Sequence, residues 1–232
     1  GGSKMIGEAM ASCLLSLGGE IQTGFPVNAM TDLPEAGTVL FDTAPRHLAR
    51  IAGKQLPDDY RQRLEAHRYG PGVFKIDWAL DAPIPWENSA CRQAGILHLA
   101  GTLEECAASE REVALGVAPG KPFVLLSQPS LFDATRTPEG KHTAWAYCHV
   151  PHGCRADMTQ HIENQVERFA PGFRQCILSR HTMDPADMEK YNANYIGGDI
   201  VGGLQGLFDL FFRPMGRWQA YATPTKGIYL CS

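Results

Sequence analysis

Tyr195-Ile196-Gly197-Gly198-Asp199-Ile200-Val201-Gly202-Gly203 sets four glycines within seven positions, and its reading decides what the rest of the chain is built around. Glycine lets backbone N–H groups approach an anion, so a phosphate loop has to be considered first. The stretch lacks the Lys-Ser/Thr of a Walker loop and does not open a helix after a strand, as a dinucleotide fingerprint does. A bending loop that lets one backbone pass close to a ligand is the better reading. Downstream come Leu210-Phe211-Phe212-Arg213-Pro214 and Tyr221-Ala222-Thr223-Pro224, then Gly227-Ile228-Tyr229-Leu230-Cys231-Ser232, an apolar run that reads as a buried strand.

Upstream, strands and helices alternate without a simple βα repeat. Ser3 stands where a helix N-cap belongs, and Ile6, Met10, Cys13, Leu14 and Leu17 recur at helical spacing until Gly18-Gly19 stops the run. Glu20 to Thr23 reads as a short strand, followed by a turn at Gly24 and an extended piece through Val27. Val39 to Asp42 is a strand leading into a helix at Pro45–Ile51, with proline at an early helical position where its missing N–H costs nothing. A charged helix is predicted over Pro57–His67 and a half-buried strand over Val73–Leu80. The prolines of Asp81-Ala82-Pro83-Ile84-Pro85-Trp86 make a loop. Ile96–Ala100, Phe123–Ser127, His142–Val150 and Cys176–Thr182 read as further strands. Thr102 with Glu105 forms a capping box for a helix to about Leu115, and Asp157 with Gln160 starts another whose face is Met158, Ile162, Val166 and Phe169. A short helix spans Pro185–Tyr191. The class predicted is α+β (mixed α/β), a mixed, largely antiparallel sheet with helices on one face.

Composition narrows the function. The 232 residues are 44% hydrophobic and 20% charged, an ordinary globular balance. A net charge of −4 gives no general attraction to nucleic acid or anionic membrane. Seven cysteines, an odd and scattered set without C-x-x-C, read as reduced thiols of a cytoplasmic protein.

Cys148-His149-Val150-Pro151-His152-Gly153-Cys154 gathers four metal-ligating side chains, but strand alternation sends Cys148 and His149 to opposite faces and the usual two-residue gap is missing. The expectation is no metal; a zinc-stabilised interaction domain rests on these residues alone. A nucleophilic cysteine would need a neighbouring cation to hold the thiolate, and no G-x-S-x-G elbow is present. Trp145, Tyr147, Tyr195, Phe208 and Phe211, with Phe212 and Trp218, are the aromatic set able to line a long apolar pocket.

Taken together, the glycine-rich stretch, the aromatic segment after it and the closing strand resemble the C-terminal part of phytoene dehydrogenase-like flavoproteins, in the carotenoid desaturase and amine oxidase-like superfamily. Two further pieces match in order: Val39-Leu40-Phe41-Asp42-Thr43-Ala44-Pro45-Arg46, and Tyr69-Gly70-Pro71-Gly72-Val73-Phe74-Lys75-Ile76-Asp77-Trp78. Gly18 to Val27 is similar to the family's strand-turn-strand, where a valine contacts the adenine end of FAD through its backbone; this carries over to Val27 alone. The resemblance divides the chain into a partial, Rossmann-like FAD-domain segment (1–54), a substrate-binding domain (55–222) and a return strand (223–232) that brings Cys231 and Ser232 to the flavin. It implies an FAD-dependent oxidoreductase of carotenoid-biosynthesis type that desaturates an apolar, isoprenoid-like substrate, with peripheral membrane contact for substrate access. The G-x-G-x-x-G strand-turn-helix and the family's glycine-rich C-terminal loop are absent from this sequence, so a fragment that binds FAD weakly or not at all is expected. The competing reading is a redox-silent lipid- or prenyl-binding module of the same architecture.

Overall fold

A computed structural model describes residues 2–204, 206 and 221–231. Its centre is β2, Gly72–Leu80, which pairs antiparallel with β5, His142–Val150, on one side and with β6, Ile177–Met183, on the other. With β3, Ile96–Leu99, and β4, Val124–Ser127, they form a sheet of order β3-β4-β5-β2-β6. Every pairing in it is antiparallel.

Alternation along these strands separates two faces. Phe74, Ile76, Trp78 and Leu80 of β2 join Ala144, Ala146, Cys148 and Val150 of β5, and Val124 and Leu126 of β4, in one core. The helix α5, Thr159–Phe169, covers that face with Ile162 and Val166, each fully buried. Beneath it Trp78 meets Phe173 edge to face, centroids 5.1 Å apart, a geometry that adds to the area both rings bury. A helix preceding β4, α4 at Leu103–Ala114, starts in the predicted capping box: Thr102 accepts from the Glu105 N–H, and the Glu105 carboxylate accepts from the Thr102 N–H.

The second core surrounds a parallel pair, β1 (Val39–Phe41) with β7 (Ile228–Leu230). Packed on it are α2, Pro45–Ala52, and α3, Asp58–Glu65. Its apolar cluster takes in Leu56, Tyr60 and Leu64, so it continues past position 54. The short α6, Pro185–Tyr191, follows β6 and is capped by the Asp184 carboxylate. No helix among the described residues is long and apolar enough to cross a membrane.

Three local expectations are corrected. Ser3 is the first residue of α1, Ser3–Ser16, with Gly2 at the N-cap, so its hydroxyl does not cap. Residues 20–27 form no strand: a strand exists by pairing, and no described strand lies beside them. The helix after Asp157 begins with Met158 at the N-cap, because the Asp157 carboxylate accepts from the Thr159 N–H two residues on, closing a local turn. All seven cysteines are free thiols.

Candidate functional site

The face of the sheet opposite α5 carries the side chains of the odd-numbered residues of β2 and β5. Trp145, Tyr147 and His149 of β5 are half-buried there. The planes of Trp145 and Tyr147 lie within 8° of parallel with centroids 6.4 Å apart, and Tyr147 to His149 is 6.1 Å. These are the spacings of residues i and i+2 on a strand, so the rings form a ladder along β5 and not a tight stack. Register puts Asp77 opposite Trp145 and Lys75 opposite Tyr147. The Lys75 ammonium forms an ion pair with the Asp77 carboxylate and lies 5.8 Å from the Trp145 ring centroid. His149 Nδ1 is 3.0 Å from a carboxylate oxygen of Glu110 on α4, which fixes that ring at the end of the ladder. Partial burial raises the Tyr147 phenol above its ordinary value.

Of the residues singled out in the sequence, Trp145 and Tyr147 are thus brought together. Tyr195 stands elsewhere, half-buried at the start of a single 3-10 turn, Ile196–Gly198. Val27 lies half-buried in irregular backbone. Cys231 is exposed just past β7, where its N–H donates to the Phe41 carbonyl at 2.8 Å. Ser232, Phe208 and Phe211, with Phe212 and Trp218, fall outside the described residues.

The four candidate ligands of 148–154 do not converge: Cys148 and Cys154 pack in and against the core, while the two imidazoles turn elsewhere. Cys148 is in the core, where burial drives its thiol well above the ordinary range, the reverse of what a nucleophile needs. His149 turns to Glu110, and His152 to the carbonyl of Gly70 at 3.1 Å. Among the described residues no group of three or more His, Cys, Asp or Glu side chains is placed to hold a metal ion.

The glycine-rich stretch wraps the residues leading into β2. Buried Asp199 accepts from the N–H groups of Gly70 (2.7 Å), Val201 (2.7 Å) and Gly202 (3.1 Å). Gly197 has φ 61°, and its carbonyl sits where a Cβ on Gly72 would come within 2.6 Å. So the backbone that the glycines let past is that of β2. Its donors are spent internally: Gly197 N–H on Glu189, Gly198 N–H on the Tyr195 carbonyl, Val201 and Gly202 on Asp199. A loop with its N–H groups so engaged is no pyrophosphate cradle.

Glu189 ties this loop to α2, accepting from Gly197 N–H at 2.8 Å and from Arg46 at 2.7 Å. The Gly197 N–H, then Arg46 and His152, hold its carboxyl below the usual range against the opposing effect of burial. A depressed carboxylate contributes stability above its unfolded pKa of about 4.3 and loses it as pH falls through the lower folded value. Glu189→Gln should therefore be less stable than wild type at pH 7, with the gap closing below about pH 4. Urea midpoints of both proteins across that range would check this, and a gap that stays constant with pH contradicts it.

Lys75, Asp77, Glu110 and Asp199 were not legible as site residues, although Lys75-Ile76-Asp77 on a strand does signal two opposite charges on one face. No protein-family model matches the chain. Pyridine nucleotide-disulfide oxidoreductase domain-containing protein 2 of mouse is 29% identical over 128 residues, 50% of this chain and 22% of that protein. The rat protein of the same name is 28% identical over the same shares. The match thus spans about a fifth of the length of these curated relatives. A solved oxidoreductase from Methanosarcina mazei superposes with a TM-score of 0.58 at 16% identity, over 97% of this chain and 47% of that one, which is a likeness of fold.

Proposed function

We propose that this chain is the substrate-domain portion of an FAD-dependent oxidoreductase acting, in phytoene dehydrogenase-like fashion, on an apolar, isoprenoid-like substrate. The observation that carries the reading is the sheet itself, sealed by α5 on one face and offering the Trp145–Tyr147–His149 ladder on the other. Sequence similarity to an oxidoreductase-domain protein and the likeness of fold support the reaction class. The described residues do not fit FAD as a complete site, since the glycine-rich loop has no free N–H set for the pyrophosphate. The flavin's phosphate contacts are assigned to other parts of the protein, and the chain's share is to bind and orient substrate. Flat rings on a rigid strand suit an extended unsaturated chain, because they supply apolar area with little rotamer entropy to lose.

Tryptophan fluorescence of the purified chain titrated with geranylgeraniol tests this. Saturable quenching that disappears in Trp145→Ala supports the reading. Binding of the isoprenoid no tighter than that of a short diamine would overturn the substrate class. Stoichiometric, tightly held FAD in the same chain would overturn the division of labour.

A further inference from the structure

The ladder does not end the open face. Across β2, register continues each row onto β6: Trp145 to Asp77 to His181, and Tyr147 to Lys75 to Met183. At β6 the face drops into a cleft of about 380 Å³ between that strand and α6, lined by His181, Met183, Lys190 and Tyr191 among others. Two strand spacings separate β5 from β6, so His181 and Met183, at the mouth of the cleft, lie about 10 Å from the rings and on the strand face that carries them.

The charges along this strip are unequal in availability. The Lys75 ammonium is neutralised by Asp77, whereas the side chains of Lys190 and His181 have no hydrogen-bond or ion-pair partner among the described residues. The acid of the cleft, Asp187, is turned to the α6 cap, where it accepts from the Asp184 N–H. The strip therefore runs from aromatic rings, over a closed ion pair, to an open cation.

Resting on the reading above, we propose that the cleft between β6 and α6 receives the carboxylate end of an amphiphilic substrate whose unsaturated chain lies on Trp145 and Tyr147. The substrate class narrows from an apolar isoprenoid to an isoprenoid or polyene acid. One ammonium, with Asp187 close by, suits a singly charged head better than a dianionic phosphate.

The test compares geranylgeranoic acid, geranylgeraniol and geranylgeranyl monophosphate as fluorescence titrants of the whole chain at low salt. Because the cleft is open to water, the acid should bind about three- to fivefold tighter than the alcohol, less so as salt rises. Lys190→Gln should erase that preference and leave alcohol binding unchanged, while Tyr147→Ala, which keeps the Trp145 reporter, weakens acid and alcohol alike. Lys190 is exposed, and an unchanged melting temperature will show that the variant folds. Equal binding of acid and alcohol, a preference that survives in Lys190→Gln, or tighter binding of the phosphate than of the acid each overturns the assignment while leaving the apolar site standing. If none of the three binds, the apolar site falls and the head-group cleft falls with it.

Discussion

Asp199→Ala is expected to lower stability by about 3–5 kcal/mol, a large part of the whole for a chain of this size. The side chain is buried, and its two oxygens accept from three backbone N–H groups on two separate pieces of chain. Alanine supplies no acceptor, and each buried donor left without a partner costs about 1–3 kcal/mol. Water reaching the vacated space recovers part of this, which is why the total falls below the simple sum. Asp199→Asn separates the contributions. Its carbonyl can still accept from Val201 and Gly202, but its amide nitrogen faces the Gly70 N–H, so about half of the loss should remain. Urea unfolding reads both variants as shifts in midpoint, with the slope unchanged if the native state keeps its compactness. An Asp199→Ala protein within about 0.5 kcal/mol of wild type would mean that the glycine-rich loop is held by its glycines and not by this carboxylate.

How far the sequence disclosed the fold depends on whether the deciding interaction was local. The helix at Pro185–Tyr191 and the capping box at Thr102 depend on neighbours within a turn, and both formed where predicted. Strand β5 was legible because its alternation is unbroken over eight residues, Thr143 to Val150, and the same alternation puts Trp145 and Tyr147 on one face. Pairing partners were not legible. Glu20–Thr23 has a strand-like composition, yet composition does not supply a second strand to bond it. The α1 face was read correctly as helical, but Ile6, Met10, Leu14 and Leu17 remain exposed, since periodicity reports the shape of an element and not its covering. The strip from Trp145 through Asp77 to His181 depends on the order β5-β2-β6, which joins residues 77, 145 and 181 through two registers. Asp199 was hidden within its own motif, because the glycines around it drew attention to their N–H groups as an anion site. The anion they bind is the protein's own carboxylate.

Glu163→Ala is expected to be comparably severe, about 3–5 kcal/mol, for a different reason. This carboxylate is fully buried under α5, and accepts from Trp78 Nε1 at 3.2 Å and from Arg180 Nε at 2.6 Å, with Arg174 at 3.6 Å. It is the polar centre of the face that the ladder backs onto. Alanine opens a cavity beside the largest core side chains and strands the Trp78 indole N–H. Arg180→Ala acts from the other side: it leaves a buried carboxylate with a tryptophan donor and a longer pairing to Arg174. Because the Arg180 side chain is itself partly in water, its loss should fall nearer 2–3 kcal/mol. Arg174→Ala, whose pairing is longer, should cost under 1 kcal/mol. The decisive variant is Glu163→Leu with Trp78→Phe. It removes the buried charge and the donor that depends on it, fills the space with carbon and keeps a ring against Phe173. If the carboxylate is worth mainly what its burial costs, this double variant should recover more than half of the Glu163→Ala loss. A double variant no more stable than Glu163→Ala would instead mean that the ion pair from α5 to β6 is what fixes the helix on the sheet. On the function proposed above, the open face should then register it as weaker isoprenoid binding at Trp145, on the strand next to that of Trp78.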